Sequence, residues 1–496
     1  MSKNININGE KYFDVSKIKV KDANTEALHT YFDTTDGDIK SNDIPVGKVG
    51  YGKDGKVIGT HIQPNGEIEG GINFYDQYGA WLTSYRLEDL PLSALPEIPA
   101  LDGAGADQYE FAWTMTLEEV NALTEEADIG VDVTAKEGAK TYFIPHKGGF
   151  TGVAQMFVIT TTTDASFLVD WGDGTTTSFT ASANTTQYTA HTFGAKSHNP
   201  IVVEKTSGEA VCFSQMTGIS ANIKEIRFGV DFTELQSLGL YSSIEKFLFH
   251  NKNYLKWNGG GNFFGSYVLK SLNIPKSDNH IFSPSSGGYC LAKDCYSLEN
   301  IFFHEGVKSS SGFIASGCPM LKSIVLPNSL KEITYSKIAD SCYGLKKIRL
   351  PKTKITMADN ADIATTCYAL EKIENLSSLS CNSLSSCMSK CYSLREFVIP
   401  EGTTTLGAGC FENCYGIKSL EIPESVVSIG TNFLRYARSL RQIKMKSATP
   451  PTMNTNMNST YWVKLGLLTI YVPKGSIEAY ATATNWSAVA ECFVEY

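Results

Sequence analysis

The sequence is poor in clustered positive charge. Its 43 Lys and Arg are outnumbered by 52 Asp and Glu, giving a formal charge of -9 and a pI near 5.5, and no Lys/Arg run stands out anywhere in the chain. A nucleic-acid partner is excluded on that ground. No apolar run approaches the roughly 20 residues a spanning helix needs, so no membrane insertion is expected. Residues Met1 to Ile7 lack the continuous apolar core of a secretory signal. The 8 histidines are scattered. No His-Glu-x-x-His, Gly-x-Ser-x-Gly or lysine-bearing phosphate loop accompanies them. These absences predict a protein that is not an enzyme and needs no cofactor or metal, although paired carboxylates assembled only by folding escape any motif. No heptad seam is visible either.

What is present is a repeat. Cys295-Tyr296-Ser297-Leu298, Cys342-Tyr343-Gly344-Leu345, Cys367-Tyr368-Ala369-Leu370, Cys391-Tyr392-Ser393-Leu394 and Cys414-Tyr415-Gly416-Ile417 share one opening, and Cys318-Pro319-Met320-Leu321 fills the gap. The steps are 23, 24, 25, 24 and 23 residues, and another of 23 reaches Ala437. Each opening leads into a short strand that a proline ends, as in Ile324 to Pro327, Ile348 to Pro351, Phe397 to Pro400 and Leu420 to Pro423. Leu272 to Pro275 extends the series backwards, and Ile244 to Phe247 and Ile223 to Ile226 are weaker copies. A unit of this size cannot bury its apolar edge alone, so the units must stack into a solenoid of about nine or ten rungs over residues 209–446.

Of 12 cysteines, ten lie between Cys290 and Cys414, most in register with the period. Neighbouring rungs are about 4.8 Å apart, wider than the ~3.8 Å Cβ separation a disulfide prefers. A column of buried thiols acting as small hydrophobes is therefore expected. The spacing of Cys387 with Cys391 and of Cys410 with Cys414 suits a zinc pair, but no histidine cluster completes either. The tyrosine after each cysteine is read as a packing ladder, with stacking on sugars as the alternative.

If the sixth and eighth residues after each cysteine face the core, the fifth and seventh face outward. The seventh-residue row includes Asn273, Phe302, Val325, Arg349, Glu374, Val398, Glu421 and Lys444, and the fifth-residue row includes Lys347, Lys372 and Glu396. Their irregular chemistry on a regular scaffold makes them the candidate binding residues, against the plainer reading of a solvated sheet face.

Before the repeat, Phe157 to Thr160, Phe167 to Thr175, His191 to Phe193 and Ile201 to Val203 read as strands of a small sandwich over residues 141–208. The Trp171-Gly172-Asp173-Gly174-Thr175 and His191-Thr192-Phe193 elements resemble PKD-type immunoglobulin-like domains, with Phe193 where that family has tyrosine. Asp170 and Asp173 are read as organising their turn in preference to holding calcium. After the repeat, residues 447–496 form a cap. Ala448-Thr449-Pro450-Pro451, Leu468 to Tyr480 and Asn485-Trp486 resemble the closing unit of BspA-type leucine-rich-repeat proteins. Ser476 is placed as N-cap of a short helix, and Trp486 as a cover for the last rung.

Residues 1–62 carry a hairpin signal at Asp54-Gly55, and Gly47-Lys48-Val49-Gly50-Tyr51 with Gly59-Thr60 resembles a module of bacteriophage tail-associated proteins. Residues 63–140, with Ile72 to Gly79 and the proline-spaced Leu90-Pro91, Leu95-Pro96 and Ile98-Pro99, resemble a segment of gut-phage virion proteins. They are set down as an α+β spacer. Thr116 and Glu119 have capping-box spacing, predicting a helix over 117–127 that buries Leu117, Val120 and Leu123.

The fold class expected is mainly β with short helices: a leucine-rich-repeat solenoid preceded by an immunoglobulin-like β-sandwich and a small α+β attachment region. The resemblances imply a structural virion protein, a tail fibre or other appendage, assembled in the host cytoplasm. Other virion proteins would bind its front, and a host-surface protein or glycan its repeats. Family analogy implies a homo-oligomer, a trimer. The alternatives are a BspA-type bacterial surface adhesin and a polysaccharide-degrading virion enzyme.

Overall fold

The computed structural model describes residues 68 and 70–496, except 161–162, 209–210, 236–241, 256–262, 277–280, 283–289, 311–312, 334–336, 360 and 456–465, and ahead of residue 68 it gives strand backbone alone. There, Val49–Gly52 pairs antiparallel with Gly55–Ile58, placing Gly52 opposite Gly55. Residues 47, 48, 54, 59 and 60, which carry the turn and part of the tail-module motif, lie outside the described residues.

The described chain divides into two compact units. The smaller includes residues 70–75, 81–97 and 114–129. Its central strand Ile72–Tyr75 runs antiparallel to Trp81–Tyr85 and parallel to Ala127–Ile129. The buried Asn73 accepts from the Ser84 hydroxyl at 2.6 Å and donates to Asp128 at 2.9 Å, so its amide is satisfied inside the sheet. The capping box forms as expected, with Thr116 accepting from the Glu119 amide and the Glu119 carboxylate accepting from the Thr116 amide. The helix is shorter than expected, Leu117–Asn121, and buries Val120 while Leu117 and Leu123 are only half-buried. Asn121 ends it by bonding the backbone of Leu92 in both directions, at 2.7 and 3.0 Å, and Ala127 then enters the sheet.

The larger unit takes residues 76–80, 98–113 and 130–496, so part of the stretch grouped as a spacer in sequence belongs with the repeat. Two sheets open it. The first runs in the order Thr176–Ala181, Ala165–Asp170, Ile201–Ser207, Thr141–Pro145, Ile223–Arg227, Lys246–Leu248. The second runs Thr186–Ser197, Phe150–Thr160, Val211–Thr217, Glu234–Leu235, Tyr254–Leu255. In both, the early strands pair antiparallel and the last pairings are parallel. The sandwich therefore passes into the solenoid with no break in either sheet. It covers the open apolar end of the first rung, which a stacked array requires.

Polar staples hold this junction. Asp231, 4% exposed, accepts from the Thr141 amide at 3.0 Å and the Lys205 amide at 2.6 Å, and burial raises its pKa to about 6 despite those bonds. His250 is fully buried against the Gly229 carbonyl at 3.0 Å, and burial lowers its pKa to about 4, keeping it neutral. At the sandwich turn, Asp170 accepts from the Gly172 amide, Asp173 accepts from Thr175, and His191 bonds Asp173 at 2.7 Å while stacking on buried Trp171. Both carboxylates are thus engaged in organising the turn.

Beyond the junction each rung carries up to three parallel strands. One row contains Ser271–Ile274, Asn300–Phe303, Ser323–Val325, Lys347–Arg349, Lys372–Glu374, Ser419–Ile422 and Gln442–Met445. A second contains Cys290–Lys293, Phe313–Ser316, Lys337–Asp340 and Asp362–Thr365, and a third runs from Ile281–Phe282 to Thr452–Met453. The first row is the one read from sequence. Its alternation is as expected, with Ile324, Leu326, Ile348, Leu350, Leu420 and Ile422 all in the core. Phe397 to Pro400 is the exception. Phe397 and Ile399 are buried on either side of exposed Val398, but no ladder forms there. After Glu374 the chain takes a left-handed turn at Asn375 into a short 3-10 helix, Leu376–Ser378, in place of the proline stop, and strand pairing in this row resumes only at Ser419.

All 12 cysteines are buried free thiols. Several donate to a carbonyl one rung back: Cys295 to Phe263 at 2.9 Å, Cys318 to Ala292 at 3.5 Å and Cys414 to Met388 at 3.0 Å. The residue before each repeat cysteine is left-handed, at Asp294, Gly317, Ser341, Thr366, Lys390 and Asn413. This conformation turns the chain so that the thiol points inward. The cap follows: Tyr480 and Trp486 are buried with Phe493, and the Trp486 ring donates to the Pro451 carbonyl at 2.8 Å. Ser476 precedes the helix Ile477–Thr482, but its side chain makes no capping bond.

Candidate functional site: the outward strand row

The outward row changes character along its length. At its start, Glu225 and Arg227 pair at 2.7 Å, and Arg227 also reaches the carbonyls of Ala104 and Asp102, while Tyr78 donates to Glu225 at 2.7 Å. Asn273 is 3% exposed and donates to the carbonyls of Gln77 and Val131, both at 3.2 Å. His304 bonds Asn273 at 2.7 Å and Asp132 at 3.0 Å, and that bond draws the Asp132 carboxyl below its ordinary pKa. Phe302 is 9% exposed, and a Cβ on Gly130 would lie 2.2 Å from its ring. Asn273 and Phe302 were expected to face a partner. They do point away from the solenoid core, but residues 76–80 and 130–132 of the same chain cover them. Sequence periodicity gives side-chain direction and carries no sign of so distant a cover.

The middle is occupied by ion pairs. Val325 is half-buried. Arg349, expected to be exposed, is 8% exposed and binds Glu374 at 2.7 Å; Lys372 binds the other oxygen of Glu374 at 2.6 Å. Burial works against the Glu374 carboxylate, but the hydrogen bonds from Arg349 and Lys372, with Lys347 nearby, outweigh it and hold its pKa at about 2. Glu374 thus binds two cations, one at each oxygen.

The row opens after that. Glu396 and Glu421 are exposed, Val398 is 62% exposed and Lys444 is half-exposed. Glu421 sits 2.7 Å from Lys446 and 3.7 Å from Lys444, and Lys444 lies over the Tyr496 ring at 4.6 Å. Ser419, Glu421, Gln442, Lys444, Tyr471 and Tyr496 line an open cleft of about 380 Å³. Of the predicted binding residues, this cleft brings together Glu421 and Lys444. It adds Gln442, Tyr471 in the cap strand Thr469–Val472, and Tyr496 directly after the cap strand Phe493–Glu495, the two strands continuing the row. The sequence signal for Tyr471 is the alternation of Ile470 and Val472, both in the core. The cleft offers carboxylate, ammonium, amide and phenol groups, a set suited to recognition. Among the described residues, no group of three or more His, Cys, Asp and Glu is placed to hold a metal ion.

The tyrosines form a column. Tyr343, Tyr368, Tyr392 and Tyr415 stack at 4.7–4.9 Å with rings within 15° of parallel, and Arg438 closes the end over Tyr415 at 5.1 Å. Tyr267 and Tyr296 make a separate stack at 5.3 Å, the two being divided by Pro319. Ring faces within each stack are taken by neighbouring tyrosines, so within the column a sugar meets edges and hydroxyls in place of an open platform.

Residues 241–361 and 362–481 match the family BspA type Leucine rich repeat region, in 6 copies. The repeats are BspA-type leucine-rich repeats. Among curated proteins none matches the chain. Solved structures similar to it include a leucine rich cell surface protein from Faecalibacterium prausnitzii A2-165 (16% identity, 46% of this chain and 80% of that one, TM-score 0.21). A leucine-rich repeat protein from Bacteroides ovatus ATCC 8483 shows 17% identity over 47% of this chain and 84% of that one, TM-score 0.18. One from Eubacterium ventriosum ATCC 27560 shows 15% identity over 54% and 74%, TM-score 0.24. Similarity at this level carries no argument about function.

Proposed function

We propose that the protein is a non-catalytic attachment protein of a bacteriophage particle. Its BspA-type solenoid meets a protein or glycan on the host surface, residues 1–140 join it to other virion proteins, and the sandwich over 141–208 is a PKD-type spacer. The observation that carries the binding role is the cleft at Glu421, Gln442, Lys444, Tyr471 and Tyr496, where irregular polar and aromatic side chains converge at the open end of the row. The tail-associated and gut-phage resemblances of residues 1–140 support the carrier. A second reading, a bacterial surface adhesin, is favoured by the BspA-type match itself.

Labelling the C-terminal cap and imaging purified particles separates the two. Label on virions is the expected result. Label confined to intact bacterial envelopes would sink the phage reading and leave the adhesin.

A further inference from the structure

Beside the tyrosine column runs a second row that neither the core nor the cleft uses. The fourth residue after each cysteine position faces outward just before the strand. Over eight successive rungs, six of these positions are cationic: Lys270, Lys322, Lys346, Arg395, Lys418 and Arg441. The other two, Glu299 and Glu371, each pair with a cation of the same row, Glu299 with Lys322 at 2.6 Å and Glu371 with Arg395 at 3.4 Å. Among the described residues, Lys270, Lys346, Lys418 and Arg441 have no carboxylate partner. Backbone bonds hold the row in register: the Glu299 amide donates to the Lys270 carbonyl at 2.7 Å, Lys346 to Lys322 at 2.9 Å and Arg441 to Lys418 at 2.8 Å. In a chain of net charge -9, this is a stripe of net positive charge, six cations against the two glutamates Glu299 and Glu371.

The stripe borders the tyrosines. Arg441 donates to the carbonyl of Arg438, which holds the tyrosine position of its own rung. Along that border Tyr267, Tyr296, Met320, Tyr343 and Tyr368 are exposed, with Met320 highest at 53%. The hydroxyls of Tyr343, Tyr368 and Tyr392 take no partner among the described residues. At about 4.8 Å per rung, Lys270 to Arg441 spans roughly 34 Å. Lys418 and Arg441 immediately precede Ser419 and Gln442, so the stripe leads into the cleft.

We infer that this double row of phenol edges and cations is the docking track for a linear anionic polysaccharide, a chain carrying carboxylates and many hydroxyls. The inference rests on the attachment reading and names its ligand class. A rod-like polymer fits a track that is long and only two side chains wide, whereas a globular protein needs about 800 Å² on each partner. An extended peptide would seek an unpaired strand edge, but here the rung backbones already bond one another. Lysine and arginine supply charge to carboxylates, and tyrosine hydroxyls bond sugar hydroxyls.

The test uses the full chain against sodium alginate, a linear polyuronate, with neutral dextran, polyglutamate and poly(dT) as comparisons. Alginate is expected to bind, with affinity falling about tenfold or more when salt rises from about 50 mM to about 300 mM; dextran is not. K346Q/K418Q/R441Q is expected to weaken alginate binding at least about tenfold, and Y343F/Y368F/Y392F about threefold, with unchanged circular dichroism. Equal binding of alginate by the wild type and the charge variant would overturn the inference, as would equal affinity for polyglutamate or poly(dT). A wild-type chain that binds host cells but no alginate defeats the anionic-glycan assignment alone, and one that binds neither defeats the attachment reading with it.

Discussion

At Asn273 and Phe302 the outward row is sealed by residues 76–80 and 130–132 of its own chain, while at Glu421 and Lys444 the same row of the same repeat faces an open cleft. The two ends have the same backbone and the same inward alternation. They differ in what the rest of the chain brings to them. A repeat can therefore hold structural and recognition duties on one face, and the sealed end, with the sandwich, supplies the rigidity on which the open end is displayed.

Substitutions at matched positions sharpen that contrast. F302A, which empties a covered site, is expected to cost about 3–5 kcal/mol by denaturant unfolding, while V398A, at the same repeat position on the open side, stays within about 0.5 kcal/mol. Equal costs would erase the distinction. R349A removes one of the two cations bonded to the half-buried Glu374, leaving Lys372, and is expected to cost about 2 kcal/mol, against under about 1 kcal/mol for K444A at the exposed pair.

The Glu374 carboxylate, held at about 2 against its ordinary 4.5, contributes stability that is fully present above pH 4.5 and is lost as the pH falls toward 2. R349A should flatten that part of the acid unfolding curve; an unchanged slope would mean that the pair does not set it. The smallest expected effect concerns the thiols. Burial raises Cys367 to about 12, so native protein should leave the cysteines unlabelled by iodoacetamide at pH 8, with all 12 reacting after denaturation.

The repeat period, the inward cysteines and the alternation of pairs such as Ile348 and Leu350 could be read directly, because each is a local periodicity with one physical cause. The left-handed column before the cysteines could not. Gly317 signals it, but Asp294, Ser341, Thr366 and Lys390 adopt the same conformation with no glycine to mark it. The second and third strand rows, such as Phe313–Ser316 and Glu332–Ile333, are too short for a pattern of their own. For the site, Glu421 and Lys444 were found by register. Tyr496 was not, being at the end of the chain and outside the period, and the burial of Asn273 depends on contacts to residues 142 and 196 positions away.

The most direct measurement is binding of the full chain to intact host cells by two variants with native unfolding midpoints. The account predicts that E421K/Y471A at the open end lowers affinity about tenfold or more, while E396Q/V398A, exposed on the same row but outside the cleft, leaves it unchanged. Full binding by E421K/Y471A would contradict it.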